Sequence, residues 1–386
     1  MIPYGRQEIT ENDIKEVEKI LRSEFLTQGP TVEKFEEAVS KYCGTKYAVA
    51  VNSATSALHL ACLALELGPG DTLWTSPNTF VASANCGKYC GANVDFVDID
   101  LKTYNMCTDA LSEKLIKADK EGKLPKILVP VHFAGQPCNM QAIYKLSKIY
   151  GFKIIEDASH AIGASYDKFK VGSCKHSDIT VFSFHPVKII TTAEGGMTLT
   201  NNKKLADKIK YLRTSGNTNN KNFFHKRSKE EIWNYQQIDL GFNYRMNDIQ
   251  AALGASQITR LDQYVKFRRK IAKRYDNKLK KLPLNLPYQT PGNFSSYHLY
   301  PICLKTEELK KTQKQIYNDL RQNNIAANLH YIPVYLHPYY RSLNFKKGYC
   351  KNAEFYFKSA ISIPIFPGLT EENQSHIIKI LSKEIY

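Results

Sequence analysis

From residue 47 onward, short runs of apolar and β-branched residues alternate with stretches whose apolar positions recur every three or four residues. The runs 47–51, 72–75, 94–97, 127–131, 153–156, 178–183 and 196–200 read as strands. The stretches 54–67, 80–90, 108–120 and 140–150 read as the helices between the first five. Such alternation builds βα units, so the expected fold class is α/β, with a mostly parallel sheet flanked by helices. The rhythm then changes. Residues 164–172 suggest a hairpin, and 184–195 leave no room for a full crossover helix between their flanking strands, so an irregular, functional loop is expected there.

A helical pattern follows over 246–280, stopped by Pro283. As one helix it would span about 50 Å at 1.5 Å per residue, enough to link two domains. Beyond it, 298–304, 309–323, 326–329 and 370–383 describe a smaller α+β unit. The expected organisation is an N-terminal segment over 1–30 that packs on the domains and the substrate site, a large α/β domain over 31–260, and a small C-terminal α+β domain over 261–386.

Composition narrows the class. Of 386 residues 43% are hydrophobic and 23% charged, which excludes disorder, collagen and low-complexity scaffolds. No apolar run approaches the roughly 20 residues that span a bilayer, so no membrane association is expected. The opening residues show no secretory pattern, and a cytoplasmic location is expected. Nine cysteines, an odd number without metal-type spacing, fit a reducing compartment and no metal site. The net charge of +16 is concentrated: residues 201–281 hold 20 Lys and Arg against 7 Asp and Glu. Such a block suits nucleic acid, an anionic small molecule, or the solvated face of a long helix, the last explaining most of it.

Four motifs lie at expected strand ends, where open α/β sheets place ligands. In Asn52-Ser53-Ala54-Thr55-Ser56-Ala57-Leu58, small hydroxyl residues open a helix whose N-terminus suits a phosphate, although N-capping alone explains Ser53 or Thr55. In Glu156-Asp157-Ala158-Ser159-His160-Ala161, Asp157 ends an apolar strand and either reaches a pocket or caps the next segment. In Ser183-Phe184-His185-Pro186-Val187-Lys188, a lysine sits in the irregular loop that ends at Ala193-Glu194-Gly195-Gly196. Desolvation there would lower its amine's pKa, as a Schiff-base lysine requires, while a snorkelling lysine is the bland alternative. Asn243 and Arg245, in Asn243-Tyr244-Arg245-Met246, precede the long helix and could serve an anion. Together the pieces match one cofactor, pyridoxal 5'-phosphate, which needs a lysine for its aldehyde, an acid for its ring nitrogen and donors for its phosphate.

With Phe25-Leu26-Thr27-Gln28-Gly29-Pro30, these motifs resemble, in order and over essentially the whole length, the DegT/DnrJ-type sugar-nucleotide aminotransferases. The resemblance implies the PLP-dependent aspartate-aminotransferase fold (fold type I). Ile2-Pro3-Tyr4-Gly5-Arg6-Gln7 and Pro186-Val187-Lys188 are similar to the pseudaminic-acid branch. That branch moves the amino group of L-glutamate to C4 of a UDP-linked 4-keto-6-deoxy-N-acetylhexosamine, with pyridoxamine 5'-phosphate as the intermediate cofactor form. By position, the resemblance implies Lys188 as the cofactor lysine, Asp157 at the ring nitrogen and His160 near the ring hydroxyl. Ala54, Thr55 and Ser183 would hold the phosphate, and Phe80 would cover a ring face. A homodimer is implied, with Asn243 reaching the partner subunit's site. Tyr4, Glu24, Phe25, Leu26, Thr27, His330, Tyr331, Ile332 and Pro333 fall in substrate-contacting segments. The basic loop 216–235 has no assigned role.

Three rivals stand beside this reading. A dehydrating relative would carry histidine in place of Lys188. Amination at C3, or of another UDP- or dTDP-linked keto-sugar, would keep the same motifs. A non-catalytic DNA-binding regulator on the same fold would use the basic block but needs neither Lys188 nor Asp157, so no nucleic-acid partner is expected.

Overall fold

The computed structural model describes residues 1–226 and 235–385. Its central sheet is made of β1 (Tyr47–Val51), β2 (Thr72–Thr75), β3 (Asn93–Phe96), β4 (Ile127–Val129) and β5 (Lys153–Asp157), and is completed beyond a small hairpin of β6 (Ser165–Tyr166) and β7 (Phe169–Lys170) by β8 (Ile179–Ser183) and β9 (Gly196–Thr200). The strand order is β1-β9-β8-β5-β4-β2-β3. From β8 to β3 every pairing is parallel, whereas β9 runs antiparallel to both β8 and β1. This is the mostly parallel mixed sheet expected of the fold.

Both faces are covered, which is why the strands read as nearly continuous apolar runs. Alternate side chains of β4 and β5 divide between two cores. Ile127, Val129 and Ile155 join the cluster with Leu58, Leu60 and Ala84 from α3 (Ala54–Ala64) and α4 (Ala82–Tyr89). Leu128 and Ile154 join Leu111, Leu115 and Ile143 from α5 (Thr108–Lys120) and α6 (Met140–Tyr150). The same alternation sends Glu156 and Asp157 to opposite faces. Glu156 accepts hydrogen bonds from His132 Nε2 at 2.7 Å, from Thr180 Oγ1 at 3.1 Å and from Ser177, whereas Asp157 faces the α3 and α4 side.

The 246–280 pattern is two helices, not one: Asp248–Ile258 and Leu261–Leu279, divided at Thr259 and Arg260. A turn that leaves the apolar periodicity nearly in phase is invisible to that periodicity. Further on, Leu284–Asn285, Tyr300–Leu304 and Ala360–Ile363 form a separate antiparallel sheet. Segment 326–329, expected as a strand, joins it only through a bridge from Asn328 to Ser362. Buried Arg268, on the second of the two helices, donates to the carbonyls of Tyr297, His298 and Ile365 at 3.3, 3.1 and 2.8 Å.

The N-terminal segment touches both regions. Ile2 pairs with Ile325, and the Tyr4 carbonyl accepts from Ile365 N–H. Helix α1 (Glu11–Leu21) is held by Asp13, which pairs with Arg260 at 2.6 Å. Among the described residues no helix is long and apolar enough to cross a membrane.

Candidate active site

Parallel strands end together, and the edge formed by the ends of β1, β4, β5 and β8 borders a cavity of about 730 Å³. Antiparallel β9 starts at that edge with Gly196, opposite Val51 and Ser183. A Cβ at Gly196 would lie 2.5 Å from Ala54 N and from the Ser53 carbonyl carbon and oxygen. Glycine is therefore what lets the start of α3 sit against the sheet edge.

That helix start has anion-binding chemistry. Ser53 Oγ accepts from Ser56 N–H at 3.1 Å, and the Ser53 carbonyl accepts from Ala57 N–H at 3.0 Å. The first-turn N–H groups of Ala54 and Thr55, both on the cavity wall, remain available to an anion at the positive end of the helix dipole. Ser183, at the end of β8, adds a hydroxyl on the same wall.

The loop 184–195 presents Lys188. Phe184 pairs its N–H with Gly195 O at 2.9 Å and its carbonyl with Thr192 N–H at 3.0 Å, closing the neck of the loop. Ile189 and Ile190 are buried against Phe35 and Phe184, which anchors the backbone immediately after the lysine. Burial pushes the Lys188 amine down to about 8, with the nearby Asp157 charge pulling the other way. At that value about a tenth of the amine is neutral and nucleophilic at pH 7, far more than for an ordinary lysine.

Asp157 is only 4% exposed. Its Oδ2 accepts from Ser83 Oγ at 2.6 Å and its Oδ1 from Ser159 N–H at 3.1 Å. His160, one turn on, is kept neutral by burial and by the neighbouring Lys188 and His330. Its Nε2 lies 3.1 Å from the Tyr331 hydroxyl, while its buried Nδ1 has no protein partner. Burial, then Lys188, also pushes His330 down to about 3.

Of the residues singled out in the sequence, Tyr4, Ala54, Thr55, Phe80, Asp157, His160, Ser183, Lys188, His330, Tyr331 and Ile332 line this one cavity. Phe80 is 58% exposed, an aromatic face open to an occupant. Glu24, Phe25, Leu26, Thr27 and Asn243 do not line it, and neither does Pro333, which caps a short 3₁₀ turn. Leu26 O instead accepts from Asp248 N–H at 3.0 Å, Thr27 bridges to Asn247, and Asn243 bridges to Thr214. They lie beside a second groove of about 640 Å³ that includes Gln28, Lys210 and Arg245. Part of the basic 216–235 loop, 227–234, lies outside the described residues. The sequence reading missed Thr79, Asn328, His337 and the Ser83 contact. Thr79 and Ser83 carried a usable signal, two hydroxyls on either side of Phe80 just after β2.

The donor set fits pyridoxal 5'-phosphate: free helix N–H groups for a phosphate, a buried carboxylate for a ring N–H, an amine of lowered pKa for an aldehyde, and an orphaned His160 nitrogen for a polar ring substituent. No group of three or more metal-type ligands occurs among the described residues.

Comparison with known proteins points the same way. A UDP-4-amino-4,6-dideoxy-N-acetyl-beta-L-altrosamine transaminase from Campylobacter jejuni is 39% identical over 94% of this chain and 92% of its own. The spore coat polysaccharide biosynthesis protein SpsC of Bacillus subtilis is 36% identical over 98% and 95%. Among solved structures, Helicobacter pylori PseC, an aminotransferase of pseudaminic acid biosynthesis, superposes with a TM-score of 0.89 at 33% identity, covering 100% of this chain and 99% of that one. Spr1654 of Streptococcus pneumoniae, solved in a PMP-form, superposes at 0.88 with 29% identity and full coverage of both chains. Residues 7–382 match the DegT/DnrJ/EryC1/StrS aminotransferase family, and the chain belongs to that family of sugar aminotransferases.

Proposed function

We propose that the protein transfers the amino group of L-glutamate to C4 of a UDP-linked 4-keto-6-deoxy-N-acetylhexosamine, a step toward nucleotide-activated pseudaminic acid. The observation that carries the reading is the convergence of Lys188, Asp157 and the open α3 N-terminus on one cavity, together with full-length similarity to PseC. Bound there, pyridoxal 5'-phosphate would supply an aldehyde that accepts amino groups and a ring that withdraws electrons.

The chain's own residues then have distinct tasks. Ala54 and Thr55 N–H and the Ser183 hydroxyl bind the phosphate. Asp157 orients the ring through its nitrogen, and Phe80 shields one face from water. Lys188 Nζ would hold the aldehyde of the bound cofactor and, as a free amine, would take up and return a proton as general base and acid. Its pKa of about 8 suits both directions near neutrality. His160 Nδ1 holds a polar ring substituent, and Tyr4, His330 and Ile332 shape the sugar end.

The acceptor's diphosphate and the donor's carboxylates are anionic, yet Lys188 is the only lysine or arginine among the described residues lining the cavity. Arg245, two residues after Asn243, lines the second groove instead. This supports a homodimer in which the 243–245 segment of one subunit completes the cavity of the other. Supplying glutamate with a panel of UDP- and dTDP-linked keto-sugars, and assigning the product by NMR, tests the reading. Amination of the UDP-linked C4 ketone is expected. Turnover confined to a C3 ketone or a dTDP-sugar would move the assignment elsewhere in the family, and normal turnover by Lys188→Ala would remove it.

A further inference from the structure

The Asp157 carboxylate is held by a group outside the recognised motifs. Ser83 Oγ lies 2.6 Å from Asp157 Oδ2 and 2.7 Å from Thr79 Oγ1, and all three residues are buried. A serine hydroxyl has one proton and an ionised carboxylate has none to give. Ser83 must therefore donate to Asp157, and its oxygen must accept from Thr79. Its 3.4 Å approach to the Phe80 carbonyl is at most a weak third centre beside the 2.6 Å bond to Asp157. The direction of the chain is fixed: Thr79 to Ser83 to Asp157.

With Ser159 N–H on Oδ1, each carboxylate oxygen has one protein donor, and rotation of the carboxyl group is blocked from both sides. The donors come from different elements, α4 and the segment after β5. Resting on the cofactor reading above, we propose that Ser83 is a positioning residue that sets Asp157 for a ring N–H, with Thr79 fixing the Ser83 hydroxyl. The same turn carries Phe80, so one relay aligns the ring's nitrogen partner and its stacking face together.

The test compares affinities of the apoprotein for pyridoxal 5'-phosphate and for its 1-deaza analogue, in which carbon replaces the ring nitrogen. Ser83→Ala is expected to weaken the natural cofactor about tenfold, the scale of one charge-assisted hydrogen bond. It should leave the deaza analogue within about twofold, because Asp157 has no N–H to meet there. Ser83→Thr, which keeps the donor, should restore the difference. Equal loss for both ligands, or no loss for either, overturns the proposal. Should Ser83→Ala fail to fold, Thr79→Val carries the same comparison with a smaller expected loss, and equal effects on the two ligands again count against the relay. Failure of the cofactor reading looks different: the unmodified protein would show no lysine-linked visible band and no borohydride-trapped adduct at Lys188.

Discussion

The Tyr331 hydroxyl and His160 Nε2, 3.1 Å apart, join the C-terminal part of the chain to the segment that follows the Asp157 strand. The two rings are nearly parallel, with centroids 6.1 Å apart, and His298 lies 4.4 Å from the His160 ring. A neutral imidazole carries one N–H, and a partner on one nitrogen decides what the other offers. Tyr331→Phe keeps the packing and removes that partner. The expected result is a folded protein of unchanged cofactor content whose kcat falls about tenfold, a loss on the scale of one hydrogen bond. An unaltered kcat would reduce Tyr331 to a packing role.

As the proposed cofactor lysine, Lys188 would react only as the neutral amine, and its pKa of about 8 would set the pH at which the apoprotein captures the aldehyde. The rate of attachment, trapped by borohydride, should rise about tenfold per unit below pH 8 and level off above it. Asp157 raises this pKa against the larger opposing effect of burial. Asp157→Asn removes the opposing charge, so the midpoint should move to lower pH even though the cofactor binds more weakly. A midpoint near 10.5, the ordinary lysine value, in the unmodified protein would contradict the desolvated placement of the amine.

What was legible in the sequence follows from which forces are local. Strands Tyr47–Val51, Thr72–Thr75 and Gly196–Thr200 and helices Thr108–Lys120 and Met140–Tyr150 match the sequence reading residue for residue. These strands are buried, and Asn139 and Gly151 bracket the Met140 helix with an N-cap and a left-handed C-cap. Lys188 and Asp157 were readable because strand ends and an irregular loop mark a site in this architecture. The strand Ala360–Ile363 and the Tyr331–His160 contact were not, since both depend on pairing between segments far apart in sequence. Helix α1 did carry an unused signal: Thr10 and Asp13 form a capping box.

Gly196 lies between the sheet edge and the N-terminus of α3. In Gly196→Ala the new methyl would meet the backbone of Ser53 and Ala54 at 2.5 Å, and backbone cannot swing aside as a long side chain can. Overpacking of this kind costs about 1–3 kcal/mol. A lowered melting temperature is expected, with weakened binding of cofactor phosphate, read as a higher Kd for pyridoxal 5'-phosphate. Free pyridoxal, which lacks the phosphate, should lose less. Equal losses for the two would place the damage away from the α3 N-terminus.

The separation of Asn243 from the cavity of its own chain makes a prediction about mixed dimers. If the 243–245 segment completes the partner subunit's site, Lys188→Ala and Asn243→Ala should each be close to inactive alone. Mixed after dissociation, half of the dimers pair one variant with the other. In each such dimer one site lacks both groups, while the other has Lys188 from one chain and Asn243 from its partner. Activity should therefore return to about one quarter of the unmodified protein's at equal total concentration. A site contained within one chain gives another pattern. Asn243→Ala would then keep its activity by itself, and mixing would add nothing beyond the sum of the two separate samples.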